Sequence, residues 1–380
     1  MSAALGALGL ACALASAAYL CIAVLAVSRR PSDRSDLSAP PGAVSVLKPL
    51  CGVESGTYEC LRSFFLQRHP RYQIVFGVQD PADPVLSVLE RLEREFPGVA
   101  ARVVVDPRQH GGNRKVGNLL NMLGAAEHDL LVLADSDIRV PPDYLRIVTA
   151  PLADPKVGIV TCAYAGVPRP GLASILGACF VNDWFLPSVR VAAWFGSRAF
   201  AFGATIALRR DTLNAIGGFE AVADHLADDY RIGELARGLG LRTVLSELQV
   251  ETVVEEADFR SLLRHELRWL RTIRLVQPWG YALSGVTFGV PFALLGVLLS
   301  AGRPAALACA GIAAAARFVL HWQVRVRGAP PWHWLALPLG DSLSFVLWCF
   351  GFAARSVRWR EGHYRVGGDG SLRRNEDFTR

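Results

Sequence analysis

The stretch Leu130-Leu131-Val132-Leu133-Ala134-Asp135-Ser136-Asp137 is an apolar run that ends in two carboxylates. A continuous run of Val and Leu is typical of a strand that is buried on both faces in a parallel sheet. In open α/β sheets, ligands bind beyond the carboxyl ends of the strands, so Asp135 and Asp137 are predicted to lie at the ligand-binding edge. Because they are two apart in an extended chain, their side chains should point the same way. Such carboxylates suit Mg²⁺ or Mn²⁺; the structural alternative is a solvated strand-end turn.

The composition places this strand in a membrane-associated chain. The protein has 380 residues, of which 52% are hydrophobic, and a net charge of +6. This is too apolar for an ordinary soluble protein, yet the middle of the chain is too charged for a pure membrane bundle. The arginines lie near apolar segments, which favours an anionic membrane surface as a partner and argues against nucleic acid. The 8 cysteines show neither C-x-x-C nor zinc spacing, so we expect them to be reduced.

The N-terminus is predicted to be a membrane anchor. Residues 2–28 carry no charge, and this uncharged stretch is long enough to cross a bilayer. Arg29, Arg30 and Arg34 follow, so this end of the helix should face the cytoplasm. A cleaved signal peptide is the alternative, but it would begin with a basic region. We therefore assign 1–28 to a transmembrane helix and 29–43 to a linker.

Residues 44–257 alternate between strand and helix patterns. This alternation predicts an α/β domain with a parallel sheet covered on both faces. Neither G-x-G-x-x-G nor a P-loop is present, so a dinucleotide site and a nucleotide triphosphatase site are both unsupported. Besides the central strand, the predicted strands are 44–50, 72–78, 102–105, 157–162 and 202–208, and the predicted helices are 58–67, 84–96, 116–126 and 142–150.

The C-terminal third alternates between basic and apolar stretches. Residues 258–280 are predicted to form an amphipathic helix on the membrane surface, with arginines on one face and Leu263, Leu267 and Leu270 on another. Residues 281–354 are predicted to be membrane helices, as a hairpin of 281–301 and 304–316 followed by 335–354. The basic tail, 355–380, would then lie outside, against the positive-inside rule, so whether 335–354 spans fully stays open. Residues 171–195 are apolar but contain polar groups, and are predicted to lie on the membrane.

Four polar clusters in this chain suit one reaction. Asp80 follows a strand, Lys115 opens a helix after a glycine pair, Asp228 and Asp229 begin another helix, and Arg268 precedes Trp269. Each has a plainer explanation: a turn former, an exposed lysine, a helix-dipole contact and an interfacial anchor. Together they provide a metal site, cations for a leaving phosphate and a base for a hydroxyl. This favours transfer of a sugar from a nucleotide sugar to a membrane lipid.

The motifs that hold these residues resemble glycosyltransferase family 21, the ceramide glucosyltransferase family, which has a GT-A fold. The resemblance spans nearly all of 44–365. Within the family, the chain is most similar to bacterial glycosyltransferases of hopanoid biosynthesis. The motifs that carry the resemblance are Val46-Leu47-Lys48-Pro49-Leu50, Val78-Gln79-Asp80-Pro81-Ala82-Asp83-Pro84, Asn113-Arg114-Lys115-Val116-Gly117-Asn118-Leu119, Ala134-Asp135-Ser136-Asp137, Leu226-Ala227-Asp228-Asp229-Tyr230 and Leu267-Arg268-Trp269.

The resemblance implies roles for individual residues. Asp80 would bind uracil, the turn from Asp135 to Asp137 would meet ribose and the metal, and Asp229 would be the general base. Arg268 and Trp269 match the family's (Q/R)xxRW motif, while His265 stands where the family has Gln or Arg. The further residues placed at the substrate are Lys48, Pro49, Lys115, Asp228 and His265.

The resemblance also implies the reaction and its place in the cell. We expect an inverting, metal-dependent transferase in a bacterial inner membrane, with its catalytic domain in the cytoplasm and anionic inner-leaflet lipids around it. The reaction would move N-acetylglucosamine from UDP-GlcNAc to bacteriohopanetetrol; the alternative is glucose from UDP-glucose to ceramide. A processive polysaccharide synthase is disfavoured because those enzymes have Gln where His265 stands and more membrane helices. A non-enzymatic membrane scaffold would not retain every acidic position.

Overall fold

A mixed sheet forms the centre of the α/β domain. The structure is a computed structural model that describes residues 3–29, 42–326, 331–353, 356–359, 362–366 and 372–374. The strands of its first 254 residues are β1 Val44–Leu50, β2 Tyr72–Val78, β3 Ala100–Val105, β4 Leu130–Leu133, β5 Ile138–Arg139, β6 Val157–Thr161, β7 Tyr164–Pro168, β8 Ile206–Arg209, β9 Arg242–Leu245 and β10 Val250–Val254.

The main sheet has seven strands in the order β3-β2-β1-β4-β8-β6-β9. Strands β1 to β4 are mutually parallel, as the sequence predicts. Strand β8, however, runs antiparallel to both β4 and β6, so the expectation of a purely parallel sheet is wrong at this position. A second sheet, β5-β10-β7, was not predicted and lies next to the end of β4.

Helices cover both faces of the main sheet and extend into an apolar C-terminal bundle. Among the described residues they are α1 Ala3–Ser28, α2 Thr57–Phe65, α3 Val85–Glu95, α4 Arg114–Leu123, α5 Tyr144–Thr149, α6 Leu172–Cys179, α7 Leu186–Trp194, α8 Arg210–Ala215, α9 Asp228–Gly238, α10 Phe259–Val276, α11 Pro278–Leu283, α12 Gly289–Leu299, α13 Pro304–Val324 and α14 Leu337–Gly351.

The sheet is packed on both sides because its strands are apolar on both sides. Strand β1 alternates residues between two cores: Val46 contacts a cluster with Phe64 and Phe76, and Leu47 contacts one with Leu119. Helix α3 buries Val85, Leu89 and Leu92, which recur at helical spacing on one face. Burying each such side chain fully contributes about 1.5–3 kcal/mol, so this face holds α3 against the sheet.

Four of the described helices are long and apolar enough to cross a membrane: Ala3–Ser28, Leu172–Trp194, Pro304–Val324 and His333–Gly351. The predicted span 281–301 is instead a bent pair, Pro278–Thr287 and Gly289–Leu299, with 79° between its parts. The next helix, α13, continues to Val324, past the predicted end at 316. The bend falls at Phe288, where the backbone leaves the helical conformation (φ −82°, ψ 63°).

The N-terminal helix packs closely on the C-terminal bundle. A Cβ atom on Gly296 of α12 would lie 2.5 Å from the carbonyl oxygen of Gly9 in α1, which only a glycine avoids. Small residues of this kind allow membrane helices to approach each other. Leu20 of α1 also shares an apolar cluster with Val189 of α7 and Leu320 of α13. The N-terminal helix α1 and helix α7 of the α/β domain therefore share a core.

The segment predicted to lie on the membrane, 171–195, is mostly enclosed by protein. Helices α6 and α7 are joined by a π-helical turn, Phe180–Phe185, which contains Asp183. Asp183 is buried and accepts from Arg317 Nη1 at 3.1 Å and lies 3.0 Å from His321 Nδ1. Arg317 also pairs with Asp341. Buried charges require such partners, so this network joins the turn to α13 and α14.

Helix α10 lies within the range predicted for the amphipathic helix, but it buries a different face. Its N-terminus is capped by Asp258, whose Oδ1 accepts from the Ser261 amide at 2.7 Å. The buried residues are Leu262, Glu266 and Leu270, whereas Leu263 is exposed. The predicted leucine face is therefore right at Leu270 and wrong at Leu263, because α10 packs between protein helices on a face that also includes Leu262 and Glu266.

Two predicted segments lie largely outside the described residues. Of the linker 29–43, residues 30–41 lie outside them. Within the basic tail, 355–380, three short strands form an antiparallel sheet that was not predicted: β11 Ser356–Trp359, β12 Gly362–Val366 and β13 Leu372–Arg374.

Candidate active site

A cavity of about 970 Å³ lies between the carboxyl ends of β1 and β4 and the helix α10. Its polar lining comes from the loops after these strands and from the start of α9; its apolar lining comes from the π-helical turn and α10. The predicted site residues on its wall are Pro49, Lys115, Asp135, Asp137, Asp228, Asp229, His265, Arg268 and Trp269.

Asp135 and Asp137 stand in a turn between β4 and β5. The Ile138 amide donates to the Asp135 carbonyl at 3.3 Å, so the chain here is not extended as predicted, although both carboxylates still line the cavity. Thr252 Oγ1 donates to Asp137 Oδ2 at 2.5 Å and the Val253 amide donates to the Asp137 carbonyl at 3.1 Å. Strand β10 thus holds the turn. Burial, and then the charge of Asp135, raise the pKa of Asp137.

Lys115 is placed by the cap of helix α4. Asn113 Oδ1 accepts from the amides of Lys115 and Val116 at 3.0 and 3.2 Å, and Asn113 Nδ2 donates to Asp228 Oδ1 at 3.2 Å. The Lys115 ammonium lies 2.7 Å from Asp135 Oδ1 and 3.4 Å from Asp228 Oδ2. Burial opposes this charge, but the surrounding carboxylates outweigh it and raise the pKa of Lys115, so the ammonium stays protonated.

Asp229 lies at the first turn of α9, with both oxygens held by backbone amides. Gly203 N donates to Oδ2 at 2.8 Å and Tyr230 N donates to Oδ1 at 2.8 Å. Burial, and then the charge of Asp228, raise the pKa of Asp229 to about 6. A positioned carboxylate with this pKa is still ionised at neutral pH and can accept a proton there.

Gly203 is a site residue that the sequence analysis missed. Its amide holds Asp229, and a Cβ atom on it would lie 2.8 Å from Asp135 Oδ2 and 3.0 Å from Lys115 Nζ. The backbone of Gly203 therefore lies against three of the charged groups. The one signal in the sequence is a glycine within the predicted strand 202–208, because a glycine inside a strand often marks a close approach of a ligand or another backbone.

We expect Gly203→Ala to lower turnover by about ten- to a hundredfold, since the added methyl displaces the pair of Asp135 and Lys115 by a fraction of an ångström to an ångström. Steady-state kinetics would measure this. Gly98→Ala is the matched control, because a Cβ on Gly98 meets no atom within 4 Å. Equal activity of the two variants would contradict this role for Gly203.

Lys48 and Pro49 occupy different surroundings. Pro49 lines the cavity, whereas Lys48 is fully buried beneath it. The Lys48 ammonium donates to the Asp135 carbonyl at 2.5 Å and lies 4.1 Å from the centre of the Phe64 ring. Burial lowers the pKa of Lys48 to about 8. In this structure Lys48 supports the acidic turn from below, and its predicted contact with substrate stays a prediction.

Asp80 follows β2 at the same sheet edge, since β2 and β4 both pair in parallel with β1. Its side chain is exposed and accepts from the Ala82 amide at 2.8 Å. The neighbouring Gln79 lines the cavity. Asp83, which lies in the same motif, accepts from the Gly52 amide at 2.8 Å and so connects this loop to the one after β1.

Arg268 and Trp269 reach the cavity from α10. Trp269 packs in an aromatic group with His265 at 5.0 Å, Phe180 at 5.9 Å and Tyr164 at 6.3 Å between ring centres. His265 Nδ1 lies 2.8 Å from Glu256 Oε1, so the ring that replaces the usual Gln or Arg is held by a carboxylate. This end of the cavity joins aromatic surface to charged groups.

A match to a protein family identifies the family of the chain that forms this cavity. The family described as Glycosyl transferase family 21 matches residues 8–372. The chain belongs to glycosyltransferase family 21. This confirms the family that the sequence motifs resembled.

Known relatives of this family 21 chain include ceramide glucosyltransferases. Ceramide glucosyltransferase 1 of Caenorhabditis elegans is 26% identical over 207 residues, which cover 54% of this chain and 44% of the relative. The ceramide glucosyltransferase of Komagataella phaffii is 32% identical over 120 residues, which cover 30% of this chain and 24% of the relative. The matches thus span less than half of these relatives. They favour the ceramide alternative over the predicted hopanoid acceptor.

A solved structure shares the fold of the family 21 chain. The mannosyltransferase PcManGT from Pyrobaculum calidifontis, in complex with GDP-Man and Mn²⁺, aligns with a TM-score of 0.55 and 21% identity. The alignment covers 92% of this chain and 97% of the other. The predicted GT-A fold, an α/β sheet with apolar helices at both ends, is confirmed.

The acidic turn suits a divalent cation that is shared with a diphosphate. Among the described residues, no group of three or more His, Cys, Asp or Glu side chains is placed to hold an ion. Mg²⁺ commonly binds only one or two carboxylates and completes its shell with water and substrate phosphates. Asp135 and Asp137, both on the cavity wall, fit that donor set. Within the described part of the chain the site therefore has no closed set of protein ligands, and its two carboxylates suit an ion whose shell other ligands complete.

Proposed function

We propose that this enzyme transfers a sugar from a UDP-sugar to the hydroxyl of a membrane lipid of the ceramide class, with inversion at the anomeric carbon. The observation that carries the proposal is the composition of one cavity wall. Charged groups at Asp135, Lys115 and Asp229 share that cavity with an aromatic group formed by the π-helical turn and α10. The charged groups suit a nucleotide diphosphate, and the aromatic group suits a lipid that arrives from the membrane helices.

In the proposed reaction the acceptor hydroxyl attacks the anomeric carbon, and its proton passes to the carboxylate of Asp229. The bond between the anomeric carbon and the diphosphate breaks, and the nucleoside diphosphate leaves. Lys115 and Arg268 supply positive charge for that leaving group. A Mg²⁺ or Mn²⁺ ion held by Asp135 and Asp137 would neutralise further charge on the diphosphate. Because one base and no nucleophile take part, the product has the inverted configuration.

The other predicted contacts extend this proposal. Asp80 would bind uracil, and Lys48, Pro49, Asp228 and His265 would position the donor. The arginines that follow the apolar segments support a cytoplasmic catalytic domain beside anionic inner-leaflet lipids. The resemblance to bacterial members of the family supports a bacterial inner membrane.

Purified full-length enzyme in lipid nanodiscs tests the function. Ceramide and bacteriohopanetetrol would each be offered with UDP-glucose or UDP-N-acetylglucosamine, and the lipid products would be identified by mass spectrometry. We expect a hexosylceramide. Transfer to bacteriohopanetetrol alone would replace the acceptor and keep the reaction class, whereas absence of transfer to either lipid would reject the lipid acceptor.

A further inference from the structure

The carboxyl group of Glu266 lies in the cavity without a full set of partners. Its side chain belongs to α10, is only 4% exposed, and lines the same cavity as Asp229. Ser344 Oγ donates to Oε2 at 3.5 Å, which is a long contact, and Oε1 has no hydrogen-bond partner among the described residues. A buried carboxyl that faces a cavity with one oxygen unpaired is arranged for a ligand, because proteins rarely leave such groups unpaired.

The surroundings of Glu266 are apolar. Leu262 and Leu270 lie one helical turn on either side of it and are fully buried. Phe180 and Trp269 pack together beside the same cavity. A ligand in contact with Glu266 must therefore offer a hydrogen-bonding group within an otherwise apolar molecule. A nucleotide or a free sugar does not have that character, but the head of a lipid does.

Burial also sets the protonation state of Glu266. Desolvation, and then the negative charge of Glu256, raise the pKa of Glu266 to about 8. At neutral pH the group is therefore mostly a neutral carboxylic acid, which donates one hydrogen bond and accepts others. Glu256 is itself occupied, since its Oε1 lies 2.8 Å from His265 Nδ1. Glu266 Oε1 has no such contact among the described residues, which leaves that oxygen for a substrate group.

We propose that Glu266 recognises a second polar group of the lipid acceptor, a hydroxyl or amide close to the hydroxyl that receives the sugar. This rests on the proposed function and adds a specificity-determining residue to it. A site that hydrogen-bonds a substrate group discriminates strongly against the analogue that lacks it, because its own polar atom then stays unpaired. The enzyme should therefore prefer amide- and hydroxyl-bearing lipids to simple long-chain alcohols.

The test compares ceramide with a long-chain primary alcohol of matched length, in the same micelles. Wild-type enzyme is expected to favour ceramide by about a hundredfold or more in kcat/KM. Glu266→Leu should lose at least about tenfold on ceramide, mainly through KM, and change little on the alcohol. Glu266→Gln, which keeps a donor and an acceptor, should retain most activity on ceramide. Asp154→Asn, which neutralises an exposed carboxylate paired with Arg242, is the control.

The outcomes separate this inference from the function on which it rests. Binding of the UDP-sugar, measured by calorimetry, should be unchanged in every variant. Equal losses on both acceptors in Glu266→Leu, or no loss on either, would overturn the role of Glu266 alone. A wild-type enzyme that treats both lipids alike would overturn it without any variant. A wild-type enzyme that binds UDP-sugar and glycosylates neither lipid would reject the proposed function itself.

Discussion

Asp229→Asn is expected to lower turnover by about 10²- to 10⁴-fold, which is the usual contribution of a positioned general base. The amide side chain has almost the same shape, but it cannot accept the proton of the acceptor hydroxyl. The amides of Gly203 and Tyr230 each donate to a carboxylate oxygen of Asp229. Asparagine keeps one of these contacts, so the start of α9 should stay folded.

Two measurements distinguish the loss of a base from the loss of a site. UDP-sugar binding to Asp229→Asn should remain within a few-fold of wild type, while single-turnover transfer should be slow. The anomeric configuration of the wild-type product, determined by NMR, should be inverted. Normal turnover by the asparagine variant would contradict the role of Asp229, and a retained configuration would contradict the single displacement.

The pH dependence follows from the same residue. The base must be ionised, and burial together with Asp228 raises the pKa of Asp229 to about 6. Turnover should therefore be nearly constant above this pH and fall about tenfold for each pH unit below it. The residual activity of Asp229→Asn should lack this acidic limb. An unchanged limb in that variant would assign the titration to another group.

The positions of several site residues could be predicted because local patterns determine them. An apolar strand that ends in carboxylates must present them at a sheet edge, and a lysine after a glycine pair at a helix start lies beside it. Asp135, Lys115 and Asp229 are distant in sequence, yet all line one cavity. The parallel order of β1 to β4 places the loops of Asp135 and Lys115 together. Strand β8 then brings Gly203 and Asp229 to these loops.

Other features depend on contacts that no short pattern encodes. The reversed direction of β8 depends on its pairing with both β4 and β6, since its own residues are equally apolar in either direction. Glu266 is buried because α10 packs against α14, whose Ser344 lies 78 residues later in the chain. Hydrophobic periodicity treats a charged residue as exposed, so it placed Leu263, and not Glu266, on the buried side of α10. The close approach of Gly203 to Asp135 likewise exists only after folding.

Asp135→Ala and Asp137→Ala are each expected to lower turnover by about 10²- to 10³-fold or more, because each removes a carboxylate from the proposed ion site under the diphosphate. The two variants should differ in their effect on Lys115 and on donor binding. Asp135 also pairs with Lys115 at 2.7 Å, so its loss leaves that ammonium with the weaker contact to Asp228 at 3.4 Å and should alter donor binding. Asp137 instead accepts a hydrogen bond from Thr252, so its loss should leave Lys115 in place.

The ion itself can be tested separately from the carboxylates. Wild-type activity should vanish in EDTA and return with Mg²⁺ or Mn²⁺, and Mn²⁺ binding in the presence of UDP, followed by paramagnetic resonance, should be lost in Asp137→Ala. Lys115→Met provides the contrast: it removes a cation from the leaving group but keeps both carboxylates, so Mn²⁺ binding should persist while turnover falls. Undiminished activity in EDTA would contradict the metal role. In that case Lys115 and Arg268 would have to supply the positive charge, and Lys115→Met would then be the more damaging substitution.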